Sequence, residues 1–179
     1  MIPTSRPPAP AKPLLILSHG LESGPDATKV SALARIAATL GFESIRPDYR
    51  DLDAGRDVRR IDERVARLKQ AAEGSRVILA GSGLGAFISG FASQELRCDG
   101  LFLIALPLAI PGYARSFEAA AVPTALVHGW DDELCPVDAA IGFARSRGNT
   151  ISLVRDDHRL SAHVDFVAEQ FRQFLHGLA

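Results

Sequence analysis

Leu79-Ala80-Gly81-Ser82-Gly83-Leu84-Gly85-Ala86 says more about this chain's architecture than any other segment. It follows the apolar run Arg76–Ala80 and precedes a helical pattern from Leu84 to Leu96. The order is therefore strand, tight Gly-rich turn, helix. Two incompatible motifs fit it. One is a strand-to-helix elbow of the form G-x-S-x-G, with Gly83 where the serine would stand. The other is a dinucleotide fingerprint, G-x-G-x-x-A, matched by Gly81, Gly83 and Ala86.

Working outward, strand-like runs alternate with helical patterns. Strands are predicted at Leu14–Ser18, Glu43–Pro47, Arg76–Ala80, Leu101–Ala105, Thr124–His128 and Thr150–Arg155. Several are almost continuously apolar, as strands covered on both faces by helices must be. Helices are predicted at Ala27–Leu40, Val58–Ala72, Leu84–Leu96, Asp138–Arg147 and about His163–Leu178. Val30, Leu33, Ala34, Ala37 and Leu40 recur at helical spacing in the first, and Phe166, Val167, Phe171, Phe174 and Leu175 in the last. Asp26 is the expected N-cap of the first helix, after the Ser23-Gly24-Pro25 turn, and Gly41 and Gly148 fall at expected C-caps. The alternation predicts an α/β fold: a doubly wound, mostly parallel sheet of about six strands with helices on both faces. Such sheets bind ligands at the carboxyl ends of their strands. The longest irregular segment, Leu106–Val122, is too short for a cap domain.

At 179 residues one domain is expected, and 47% hydrophobic residues can bury a substantial core. A formal net charge of −1 argues against a nucleic-acid surface, which needs clustered positive charge. The Arg-rich stretch Arg56–Arg64 is interleaved with acids and reads as a solvated helix face. Cys98 and Cys135 form no C-x-x-C pair, so a reducing, cytoplasmic compartment is expected. No apolar run approaches transmembrane length, and no membrane partner is expected. Met1 to Pro13 holds five prolines and no apolar core of a signal. Residues 1–12 read as an extended, poorly ordered tail, with the domain at 13–179.

A dinucleotide site demands an acid about 20 residues on, at the end of the next strand, to hold the ribose. That strand ends Leu103-Ile104-Ala105-Leu106-Pro107, with no acid. The elbow demands an acid after a later strand and a histidine after the last. His128-Gly129-Trp130-Asp131-Asp132-Glu133-Leu134-Cys135-Pro136 follows the fifth strand, and Asp156-Asp157-His158-Arg159-Leu160 the sixth. Ser18-His19-Gly20-Leu21 follows the first. With these four markers in this order, the chain from about Pro13 onward resembles the small, lidless members of the α/β-hydrolase superfamily.

The resemblance implies a minimal α/β-hydrolase fold with no cap domain, and a carboxylic-ester hydrolase scaffold. Asp132 matches the triad acid, His158 the base, and the backbone N–H groups of Leu21 and Leu84 the oxyanion hole. Gly83 takes the nucleophile's position; glycine relieves the strain of that turn and removes acyl-enzyme chemistry. Ser82 is a weak substitute: it precedes the apex, and Leu84 would occupy a position that needs a small residue. Asp131 competes with Asp132 but suits a turn carboxylate. His163 competes with His158 but falls in a helix, and the two share no helix face, so neither a metal pair nor a cofactor is expected. His19 and His128 read as structural, and Cys135 as a small hydrophobe. Trp130, Leu106 and Leu108 either border a substrate site or pack. The expected ligand is a small molecule. The alternative to a weakened enzyme is a non-catalytic relative that binds an acyl ligand or a protein.

Overall fold

Val77, Ile78, Leu79 and Ala80 are all buried, and they divide by parity between two cores. Val77 and Leu79 face one, Ile78 and Ala80 the other, because successive strand side chains point to opposite faces. Leu101 and Leu103 against Phe102 and Ile104 repeat the pattern. Strands with two apolar faces can only be interior, and the sheet they build is parallel throughout.

The computed structural model describes residues 11–179. The order is β1 (Leu14–Ser18), α1 (Thr28–Thr39), β2 (Ser44–Ile45), α2 (Arg50–Asp53), α3 (Ile61–Ala72), β3 (Arg76–Ser82), α4 (Leu84–Ser93), β4 (Arg97–Ile104), β5 (Thr124–Gly129), α5 (Val137–Arg147), β6 (Thr150–Val154) and α6 (Val164–Gly177). The sheet order is β2-β1-β3-β4-β5-β6. Every neighbouring pair runs parallel. Buried residues of α1 and α6 cover one face, and those of α3, α4 and α5 the other. This is the architecture that the resemblance implies, with no cap inserted among the described residues; Leu106–Val122 forms neither helix nor strand.

Local departures from expectation have physical causes. The first helix is capped at Ala27, with no side-chain cap bond. Asp26 instead faces solvent, 3.6 Å from Arg46 Nη1. β2 shrinks to two residues before Pro47, which has no N–H for a ladder. β4 begins four residues early, at Arg97, where Arg97 and Cys98 pair with Arg76 and Val77 of β3. The predicted helix from Val58 is a 3₁₀ turn, Val58–Arg60, followed by α3. Within it Arg64 is 1% exposed, so the Arg-rich stretch is not wholly a solvated face. Residues 1–10 of the expected tail lie outside the described residues; Lys12 is anchored, donating to the Leu40 carbonyl and sitting 4.8 Å over the Phe42 ring.

Candidate active site

The site begins with the turn between β3 and α4. Gly83 adopts φ +57° and ψ −121°, a backbone conformation that L side chains rarely hold. Its N–H donates to Ile104 O at 2.9 Å, fastening the apex to the end of β4. Two residues on, a Cβ at Gly85 would lie 2.1 Å from Ser18 O, so only glycine lets α4 start against β1. The small residues thus bracket position 83, and Gly81-x-Gly83-x-Gly85 is the frame of the elbow. Ser82 is the last residue of β3, paired with Ile104 and buried, one position before the apex.

Two remote loops converge on this apex. The His158 Nε2 atom lies 3.5 Å from the position a Cβ on residue 83 would take. On its other side, His158 Nδ1 donates to Asp132 Oδ2 at 2.9 Å, with Oδ1 at 3.1 Å. Asp132 is buried and its carboxylate is itself held. Oδ1 accepts the N–H groups of Leu134, at 2.9 Å, and Cys135, at 2.7 Å. Burial alone would raise the Asp132 carboxyl, but the bond from His158 and that from the Cys135 N–H outweigh it, and the group stays below its ordinary value. His158 keeps 23% of its side chain exposed. An acid-held imidazole aimed at the apex is what proton transfer at that point requires.

Leu84, the first residue of α4, directly follows the apex. Leu21 follows Gly20, whose Cα lies 4.0 Å from the same Cβ position. The two expected oxyanion-hole N–H groups therefore belong to segments that flank Gly83. Trp130 is 51% exposed, and its backbone N–H donates to Val154 O, tying the acid loop to β6. Leu106 is buried in the core beside α4, and Leu108 is half-buried against that core. Asp131 and Asp157 stay outside the pair.

His128 and His163 are structural. His128, fully buried, donates from Nε2 to Cys135 O at 2.7 Å, with Asp132 Oδ2 3.3 Å away. His163 bonds Asp156 Oδ2 through Nδ1 at 2.9 Å, in the 3₁₀ turn that opens α6. The sequence reading missed the backbone N–H pair that grips Asp132. The spacing of Asp132 to Leu134 and Cys135, a carboxylate over the next turn, is the signal that could have found it. Asp132, Cys135 and His158 bring ligand atoms within 4.8 Å of one another, a spacing that suits a metal. Burial pushes the Cys135 thiol up to about 12, so it keeps its proton, and the other two groups are committed to each other. That donor set fits a hydrogen-bonded pair better than an ion.

Known structures can now be set beside this geometry. A protein from Xanthomonas campestris pv. campestris, assigned to the alpha/beta hydrolase superfamily, is 42% identical. The match covers 93% of this chain and 99% of that one, with a TM-score of 0.88. The chain belongs to the α/β-hydrolase superfamily. A lidless α/β serine hydrolase, also from Xanthomonas campestris, matches at 19% identity over 96% of this chain and 85% of its own, with a TM-score of 0.72. Est1E from Butyrivibrio proteoclasticus matches at 17% over 93% and 88%, with a TM-score of 0.67. These two speak to the fold alone. No family model and no curated protein matches the chain. Membership in this superfamily removes the dinucleotide reading of the Gly-rich turn. No helix of the described residues is long and apolar enough to cross a membrane.

Proposed function

We propose that this α/β hydrolase is an ester-hydrolase scaffold of the serine-hydrolase type, acting on small carboxylic esters in the cytoplasm, with its acyl-enzyme route closed by Gly83. The observation that carries the reading is the aim of His158 Nε2, 3.5 Å from where residue 83 would bear a Cβ, with Asp132 behind the ring. Glycine supplies no hydroxyl, so no covalent acyl intermediate forms. Turnover then proceeds by direct attack. His158 Nε2 takes a proton from a water as its oxygen bonds to the ester carbonyl carbon. Asp132 steadies the imidazolium, and the N–H groups of Leu21 and Leu84 receive the negative oxygen. Collapse of the tetrahedral adduct breaks the bond to the alkoxide, which leaves with the proton from His158. Leu21, Trp130 and Leu134 are exposed apolar side chains on the loops after β1 and β5, which also carry Gly20 and Asp132, and are suited to an apolar acyl or aryl group.

The test is hydrolysis of p-nitrophenyl acetate by the native chain and by Gly83→Ser. The reading expects weak, His158-dependent turnover from the first and a large gain in the second. A His158→Ala variant that hydrolyses the ester as fast as the native chain overturns the mechanism. The glycine itself favours a second reading, in which the cleft binds an acyl ligand without turning it over. Saturable binding of butyrate to the native chain with no hydrolysis even after Gly83→Ser would establish that alternative.

A further inference from the structure

The loop after β1 is held from behind by a buried cation. Arg64 of α3 is 1% exposed, and its guanidinium lies 4.6 Å from the centroid of the Tyr49 ring. Nη2 donates to Asp53 Oδ2 at 3.0 Å, and Nε lies 2.9 Å from Asp53 Oδ1. The same Nη2 also donates to the Gly20 carbonyl, at 3.3 Å.

A second donor meets that carbonyl. The Tyr49 backbone N–H donates to His19 Nε2 at 3.0 Å, so Nε2 carries no proton. The neutral ring therefore bears its hydrogen on Nδ1, which donates to Gly20 O at 2.8 Å. Burial, which lowers the His19 pKa, keeps the ring in this neutral form. One backbone oxygen is thus clamped by two buried side chains from different elements. Stability alone does not call for such an arrangement, since an apolar residue of similar volume commonly replaces a buried ion pair without loss.

What the clamp sets is a direction. The Gly20–Leu21 peptide is trans, and a planar trans peptide points its N–H opposite to its C=O. With the carbonyl turned to Arg64 and His19, the Leu21 N–H is turned away from them. Gly20 Cα lies 4.0 Å from the Cβ position of residue 83, so the elbow is the neighbour on that side.

We propose that Arg64 and His19 are positioning residues that fix the Gly20–Leu21 peptide, so that the Leu21 N–H serves as an oxyanion donor. The inference rests on the ester-hydrolase reading for its chemistry but not for its geometry. Neither side chain touches the reacting atoms; both act through one peptide group.

The experiment uses the full chain carrying Gly83→Ser, alone and combined with Arg64→Lys or with Arg64→Lys and His19→Ala. Lysine keeps a cation but has no Nε to face Asp53 Oδ1 and no planar fork to fix the direction of the nitrogen that reaches Asp53 Oδ2 and Gly20 O. With p-nitrophenyl acetate, Arg64→Lys lowers kcat about 10-fold and leaves KM within about threefold. The double replacement lowers kcat about 10²- to 10³-fold, the worth of one oxyanion donor. An unchanged kcat in a folded Arg64→Lys chain overturns the proposal. If Gly83→Ser shows no turnover, the ester-hydrolase reading has failed, and the clamp is judged separately. A crystal structure of Arg64→Lys/His19→Ala on the native background then decides: a Gly20 carbonyl swung toward the cleft supports the clamp, and an unmoved peptide refutes it. If the double variant does not fold, the same crystallographic comparison is made on Arg64→Lys.

Discussion

Installing a side chain at position 83 separates the strain of the elbow from its chemistry. At φ +57° any L residue is strained, by about 1–3 kcal/mol. Space is not the obstacle: the first atoms a Cβ meets are His158 Nε2 at 3.5 Å and Cε1 at 3.9 Å, ordinary contacts. Gly83→Ala and Gly83→Ser should therefore both fold and both lose about 1–3 kcal/mol. For a chain of this size each kcal/mol shifts the melting temperature by about 2–4 °C. The expected drop is thus about 2–12 °C, and nearly the same for the two variants. Their kinetics should diverge. Loss of the serine from a complete triad costs about 10⁶-fold in kcat, which sets the ceiling on what Gly83→Ser can gain. With p-nitrophenyl acetate in stopped flow, Gly83→Ser should release nitrophenol in a burst equal to the enzyme concentration, followed by slower steady turnover. Gly83→Ala should show neither. A Gly83→Ser chain that melts as expected yet shows no burst and no gain over Gly83→Ala would refute the placement of the apex before His158. A variant as stable as the native chain would refute the strain argument instead.

In the Gly83→Ser background, Asp132→Asn should lower kcat by about 10⁴-fold, since the amide no longer holds the productive tautomer of His158; steady-state hydrolysis checks this. Gly85→Ala places a Cβ 2.1 Å from Ser18 O, a backbone atom that cannot yield, and should cost about 3 kcal/mol or more, read as a lost or strongly lowered urea midpoint. Stability should fall on acidification in two stages. His19, with its pKa lowered first by burial, resists protonation when folded, so stability declines as pH falls below about 6.5, the unfolded value. Asp132 and Asp156, both held below their ordinary values, add stability that is complete above about pH 4 and lost as pH falls further. A urea midpoint that rises between pH 7 and pH 5 would contradict the first stage.

The succession of strands, and the meeting of Gly83, Asp132 and His158, were readable because each rests on a one-dimensional signal. Runs such as Val77–Ala80 announce a strand buried on both faces, and the three loops follow their strands in a fixed order along the chain. Arg50–Arg60 carries no such signal. Its short helix and 3₁₀ turns are polar, and they are ordered by ion pairs such as Arg67 with Asp51 and Arg56 with Glu22, which depend on partners remote in sequence. Arg64 was opaque for the same reason. Its charge pattern matches an exposed helix, and only the tertiary placement of Tyr49 and Asp53 buries it. The grip of Leu134 and Cys135 on Asp132 left only the trace of a turn carboxylate two and three positions ahead of its donors, since the direction of those N–H groups is set by the fold.

Helix α4 deserves its place at the centre of the fold for a mechanical reason. From Gly85 to Ser93 every residue is buried, and Phe87 and Phe91 stack edge-on at 5.0 Å beneath the loop that carries Tyr113. The apex is the tip of a mast set in close-packed material and tied to the end of β4. It cannot be retuned from the rim of the cleft, where Leu21, Trp130 and Leu134 can vary at little cost. A change of volume at Phe87 or Phe91, remote from any ligand, would be transmitted along the helix to the spot His158 watches.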